Sequence, residues 1–145
     1  MPDESNNGRR LIGGRSLRWS AERAASAYGR GLWTRDTLAN ALLAAASETP
    51  QRVLLIDGSA RLDCKTLQVK AAKLAQSMLA RAPAGSVVSF MLPNWHEAAV
   101  LYLAATLAGM VVNPILPSLR DRELAFILND VQTRLIFVPS AVKLH

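Results

Sequence analysis

Residues Val87–Pro117 read VVSFMLPNWHEAAVLYLAATLAGMVVNPILP. Val87–Leu92 is an apolar run of strand length, rich in β-formers. Pro93 stops it, since proline has no N–H to give a ladder. Asn94 stands where a helix N-cap belongs, and Glu97 three residues on completes a capping-box pattern. His96–Ala108 is almost wholly apolar and built of good helix formers, which predicts a helix buried nearly all round. Gly109 supplies the left-handed position that ends it. Met110–Asn113 is a short strand, closed by Pro114. Strand, crossover helix and strand make a parallel βαβ unit with a right-handed connection.

Upstream, Thr37 caps a helix to about Ser47, with Leu38, Ala41, Leu42 and Ala45 on one face. Arg52–Asp57 is a strand, Asp57-Gly58 a turn, and Ser59–Leu62 a short antiparallel return. Asp63 caps a longer helix to about Arg81, with Leu67, Ala71, Leu74, Ala75, Met78 and Leu79 as its buried stripe. Downstream, Ser118 or Asp121 caps a helix carrying Leu124, Ile127 and Leu128, Asn129-Asp130 ends it, and Leu135–Val138 is a last strand. The alternation predicts an α/β fold, a mainly parallel sheet with helices on both faces. Three segments follow: a polar, Gly/Arg-rich lead-in at 1–16, expected to be disordered; an N-terminal arm at 17–36, with Trp19, Tyr28, Leu32, Trp33 and a short helix near Ala21–Tyr28; and the α/β region at 37–145.

The totals agree. A chain of 145 residues, half of them apolar, is long enough to bury one core. The net charge is +6, with seven basic against four acidic residues up to Asp36 and ten against seven beyond it. That spread predicts no nucleic-acid partner, whose site would concentrate basic residues among aromatics. Cys64 is the single cysteine, so neither an internal disulfide nor a cysteine zinc site can form. The N-terminus lacks the apolar core of a secretory signal. Ala98–Val112 falls short of the ~20 apolar residues a spanning helix needs. A soluble, cytoplasmic protein without a transmembrane segment is expected.

The central stretch also resembles the early segment of the adenylate-forming acyl-CoA synthetases, the AMP-binding enzymes: an apolar strand, L-P-N-x-x-E, an Ala/Leu-rich helix, then A-G-x-V-x-x-P. The likeness extends upstream. T-L-A-N-A-L-L, R-V-L-L-I-D-G and A-A-K-L-A-Q-S-M-L are similar to the family's opening helix, strand and second helix. Y-G-R-G-L-W-T-R-D-T-L resembles the opening of its aryl-, cyclohexanecarboxylate- and fatty-acid-activating subgroup. Asp63, Cys64 and Thr66 depart from the family's usual Thr, Tyr and acidic residue, and Ser86 from its acidic residue before the central strand. Coverage runs from about Tyr28 to Pro139, which corresponds to the first part of the larger N-terminal domain of such an enzyme.

The resemblance implies an ATP-dependent ligase. A carboxylic acid and ATP would give an acyl-adenylate and pyrophosphate, and the acyl group would pass to coenzyme A. ATP, Mg²⁺ and coenzyme A are implied for the complete enzyme, with a small-molecule carboxylic acid as substrate and the remainder of the ligase chain as partner. That chemistry needs a Ser/Thr/Gly-rich loop with a lysine for the phosphates, a carboxylate for Mg²⁺ and a mobile lysine. None of these motifs stands in 1–145. No catalytic and no metal residue is therefore assigned, and none of the cofactors is expected to bind this chain well alone. The alternative is a non-catalytic α/β binding or regulatory module built from the same subdomain.

Three side chains remain as candidates. Arg120, after the N-P-I-L-P-S-L exit, corresponds by the resemblance to a basic residue that meets the coenzyme A phosphate in some members. Cys64 begins a helix but has no evident partner, and a small, partly buried structural cysteine is expected over a reactive one. His96 lies in the first turn of the central helix, where a capping or packing role is expected over catalysis.

Overall fold

The structure, a computed structural model, describes residues 8–12 and 15–140. The chain divides into two compact units, Met1–Asp36 and Thr37–His145.

In the first unit, β1 (Arg9–Ile12) and β2 (Arg15–Arg18) pair antiparallel, with Arg9 opposite Arg18 and Leu11 opposite Ser16. The Arg9 guanidinium donates to Ser16 Oγ at 2.9 Å and to Ser16 O at 2.8 Å. From Arg9 onward, therefore, the segment expected to be a disordered lead-in is a hairpin. The signal was present in the sequence: two four-residue runs around Gly13-Gly14, a dipeptide suited to two-residue hairpin turns. The rest of that expectation, over residues 1–7, lies outside the described residues. Ser20 then caps α1 (Ala21–Gly29) by accepting from the Arg23 N–H at 3.2 Å. Trp33 sets its ring edge-on to Tyr28, with centroids 5.6 Å apart, and lies 6.4 Å from Trp19.

In the second unit, Thr37 Oγ1 caps α2 (Leu38–Glu48) through the Asn40 N–H. Its inward residues are Leu42 and Ala46, whereas Leu38 is exposed, so the helix is turned from the expected face. Next, β3 (Val53–Asp57) and β4 (Ala60–Asp63) form an antiparallel hairpin around Gly58, whose φ is +56°. This hairpin is a sheet of its own and does not join the parallel one. Asp63 Oδ1 then caps α3 (Cys64–Leu79) by accepting from the Thr66 N–H at 2.6 Å. Cys64, Leu67, Ala71, Ala75 and Met78 are buried, but Leu79 is 46% exposed. At roughly 100° per residue, Leu79 points about 120° away from Leu67, past the edge of the stripe.

The core of the unit is β5 (Val87–Phe90), α4 (His96–Leu107), β6 (Val111–Pro114), α5 (Asp121–Asp130) and β7 (Thr133–Phe137). The three strands are parallel in the order β6–β5–β7. All four residues of β5 are buried, as a central strand covered on both faces requires. The chain leaves β5 for one neighbour through α4 and returns to the other through α5. Right-handed crossovers in opposite directions put the two helices on opposite faces. Val88 and Phe90 pack with Leu67, Met78, Leu101 and Ala104 in the main core. Gly109, at φ +64°, ends the helical segment as expected, and its carbonyl accepts from the Gly85 N–H.

Two helix starts differ from expectation. Trp95, rather than Asn94, holds the N-cap position of α4 and caps nothing with its side chain. The first helical amide, His96 N–H, donates instead to Asp57 Oδ2 at 2.9 Å, a cap supplied from β3. For α5 the N-cap is Arg120, where Ser118 or Asp121 was expected, and Glu123 Oε2 accepts from its backbone N–H at 3.0 Å. Burial of α4 is also one-sided. Val100, Leu101, Ala104 and Ala105 are buried, but Trp95 just ahead of it and Tyr102 are over 40% exposed.

Candidate active-site region

In an open parallel sheet, ligands sit outside the carboxyl ends of adjacent strands whose connections leave to opposite faces. Here those strands are β5 and β6. The loops that follow them, 91–95 and 115–120, border a crevice of about 910 Å³. Phe90, Leu92, Trp95, Tyr102, Ile115 and Leu116 line it, and no charged side chain does. Such a surface accepts an apolar group and offers nothing to neutralise a phosphate. The clues in the sequence were aromatic residues spaced seven apart on an apolar helix and the P-I-L-P exit. The sequence places Tyr102 on a helix expected to be buried nearly all round, and P-I-L-P as the exit from the short strand.

Arg120 lies at the far end of the loop after β6, outside the lining of the crevice, and is exposed. Among the described residues no carboxylate pairs with its guanidinium. Cys64 is fully buried, and its thiol donates to Arg52 O at 3.3 Å, the arrangement of a structural cysteine.

His96 takes part in a clamp. Its Nδ1 is 3.0 Å from Asp57 Oδ2 and 3.4 Å from Glu97 Oε2. The three residues offer ligand atoms within 4.8 Å of one another. Asp57 Oδ2 is already engaged by the His96 amide, however, and the positive end of α4 opposes a cation. The geometry is that of a tertiary helix cap, as the sequence led one to expect for His96, and it does not fit Mg²⁺. Lys70 and Lys73 of α3 line the groove beside it.

The His96 backbone N–H, and after it the ring hydrogen bond, hold the Asp57 carboxyl below its usual range. A depressed folded-state pKa means that in acid the unfolded chain takes up the proton first, so this stabilisation is lost as pH falls below about 4. Asp57→Asn is expected to lower the melting temperature at neutral pH and to flatten the acid limb of the profile. Melting curves from about pH 3 to about pH 7 check this. Parallel acid limbs for the two proteins would show that the clamp contributes nothing.

Fold and crevice define an α/β domain of the kind that opens adenylate-forming enzymes. The sequence profile of the AMP-binding enzyme family matches residues 42–145, and the chain belongs to that family. It is 34% identical over 130 residues to the medium-chain fatty-acid–CoA ligase of Escherichia coli K12, covering 88% of this chain and 23% of the relative. It is 31% identical over 127 residues to the 2-hydroxy-7-methoxy-5-methyl-1-naphthoate–CoA ligase of Streptomyces carzinostaticus, covering 86% and 23%. Among solved structures, the unliganded O-succinylbenzoate coenzyme A synthetase of Bacillus subtilis superposes with a TM-score of 0.65 at 23% identity, over 68% of this chain and 22% of that one. The Mycobacterium tuberculosis fatty acyl CoA synthetase gives 0.65 at 24%, over 68% and 20%. The chain thus spans about a quarter of the length of these relatives and corresponds to their N-terminal segment. Among the described residues no helix is long and apolar enough to cross a membrane.

Proposed function

We propose that this chain is the N-terminal part of an ATP-dependent acyl-CoA ligase of the cytoplasm. The complete enzyme would join a carboxylic acid to ATP with Mg²⁺, releasing pyrophosphate, and would pass the acyl group from the adenylate to coenzyme A with release of AMP. The observation that carries the proposal is the family match over 42–145, with CoA ligases over 30% identical across almost the whole chain. The apolar crevice supports the same division of labour, because its lining offers no charged group for the ATP phosphates or a metal, which other segments would supply. The purified chain is expected to give no carboxylate-dependent ATP–pyrophosphate exchange above a blank, whereas the chain joined to the remainder of such a ligase should exchange with medium-chain or aryl acids. Exchange by the chain alone would overturn the fragment reading. A joined enzyme inactive toward all such acids would favour a non-catalytic module.

Arg120 is proposed to contact a phosphate of coenzyme A. In the completed enzyme, Arg120→Ala should raise the apparent KM for coenzyme A about tenfold or more, the loss of a charge-assisted hydrogen bond, and leave adenylation nearly unchanged. Separate assays of the two half-reactions decide it. Equal loss in both, or none in either, would remove the assignment.

A further inference from the structure

The Met1–Asp36 unit holds a concavity of about 990 Å³ that nothing above uses. Arg9, Arg18, Arg23 and Arg30 line it beside Trp19 and Trp33, with Glu22 as the single acidic side chain among the described residues. The hairpin, α1 and the residues just after it bring these side chains together from Arg9 to Trp33. The backbone closes the frame through the Trp19 N–H, which donates to Gly8 O at 2.6 Å.

Among the described residues, most of these guanidiniums have no partner. Arg9 is held by Ser16, but among the described residues no carboxylate pairs with Arg18, Arg23 or Arg30, and no side-chain hydrogen bond engages their guanidiniums. Among the described residues, Glu22 sits beside them without forming an ion pair. Like charges gathered in a concave surface repel one another, and an anion of more than one charge relieves that repulsion. The planar guanidinium fork matches phosphate oxygens two at a time. The aromatic wall is open on one side. Arg10 stacks over Trp19 at 5.3 Å from its ring centroid, whereas Trp33 remains 48% exposed.

We infer that this concavity is a binding site for a phosphate-bearing anion, with Arg18, Arg23 and Arg30 on the phosphates and the exposed Trp33 indole against the organic group. The phosphate can be free, as in pyrophosphate or a nucleotide, or presented by an anionic lipid headgroup. Either source answers to the same residues. The site is independent of the ligase reading, since it lies outside the family-matched residues 42–145.

The test uses the full chain with Trp95→Phe, so that the remaining indole fluorescence comes from Trp19 and Trp33. Pyrophosphate, ATP, phosphatidylglycerol vesicles and phosphatidylcholine vesicles are titrated in turn at low and at high salt. The expected result is a saturable change with pyrophosphate and ATP, or with phosphatidylglycerol but not phosphatidylcholine, weakening as salt rises. The first pattern assigns a soluble phosphate and the second a headgroup. The exposed triple variant Arg18→Ala/Arg23→Ala/Arg30→Ala should bind at least about tenfold more weakly, the loss expected for even one charge-assisted contact. It should keep the circular dichroism spectrum of its parent. No response to any probe, equal binding by the triple variant, or an equal response to phosphatidylcholine would overturn the site.

Discussion

Leu67→Ala should cost the Thr37–His145 unit about 3 kcal/mol, whereas Leu79→Ala on the same helix should stay within about 0.5 kcal/mol of the parent. Leu67 is 1% exposed, enters the main core beside Val88, Phe90 and Leu101, and also forms part of the crevice wall. Truncating it removes the buried methyl groups and leaves a cavity between α3, α4 and the sheet that close-packed neighbours fill poorly. For a unit of this size the loss corresponds to a fall in melting temperature of roughly 10–20 °C. Leu79 is nearly half exposed and has little to lose. Urea unfolding of both variants, followed by circular dichroism, measures the pair. Similar losses would mean that α3 presents a different face to the core from the one described.

That contrast marks where periodicity could be read and where it could not. Apolar spacing located α3 and five of its six stripe residues, because a one-turn repeat is a local property of the chain. It could not fix the angular edge of the stripe, which depends on how α4 packs alongside. Caps supplied within a helix's own start were legible, as Thr37 and Asp63 show. The cap of α4 was not, because Asp57 reaches His96 from 39 residues upstream and Asn94 offered a plausible local substitute. Strand partners obeyed the same rule. The tight Asp57-Gly58 turn announced the β3–β4 hairpin, but nothing local says that this hairpin stands apart from the parallel sheet. The basic arm was hidden for a related reason. Counting charges along the chain showed an even spread, and only the hairpin folded against α1 gathers four arginines at one concavity. The crevice was hidden because its walls come from β3, α3, α4 and two loops, and those loops become neighbours only when β6 pairs with β5.

Ser89→Ala is expected to destabilise the parallel sheet by about 1–3 kcal/mol, although it removes one oxygen from an otherwise apolar strand. Ser89 is fully buried, and its hydroxyl lies 2.7 Å from Thr133 Oγ1 and accepts from Asn113 Nδ2 at 2.9 Å. The three side chains come from β7, β5 and β6, so a single hydroxyl links all three strands. Each ladder is only a few residues long, and a slip of one residue would place Val88 where Ser89 meets Asn113. Without the hydroxyl, Asn113 and Thr133 each lose a partner in a half-buried setting, and the cost lies mainly in those two unpaired groups. The serine in V-V-S-F and the asparagine in V-V-N-P stood in plain view, yet their pairing depends on the register of β5 against β6. The decisive measurement is the cycle through Thr133→Val and the double variant Ser89→Ala/Thr133→Val. The double should lose less than the sum of the singles, because the second change removes a group the first left stranded. Strict additivity would show that the hydroxyls do not act as a network and that Ser89 is merely tolerated in the strand.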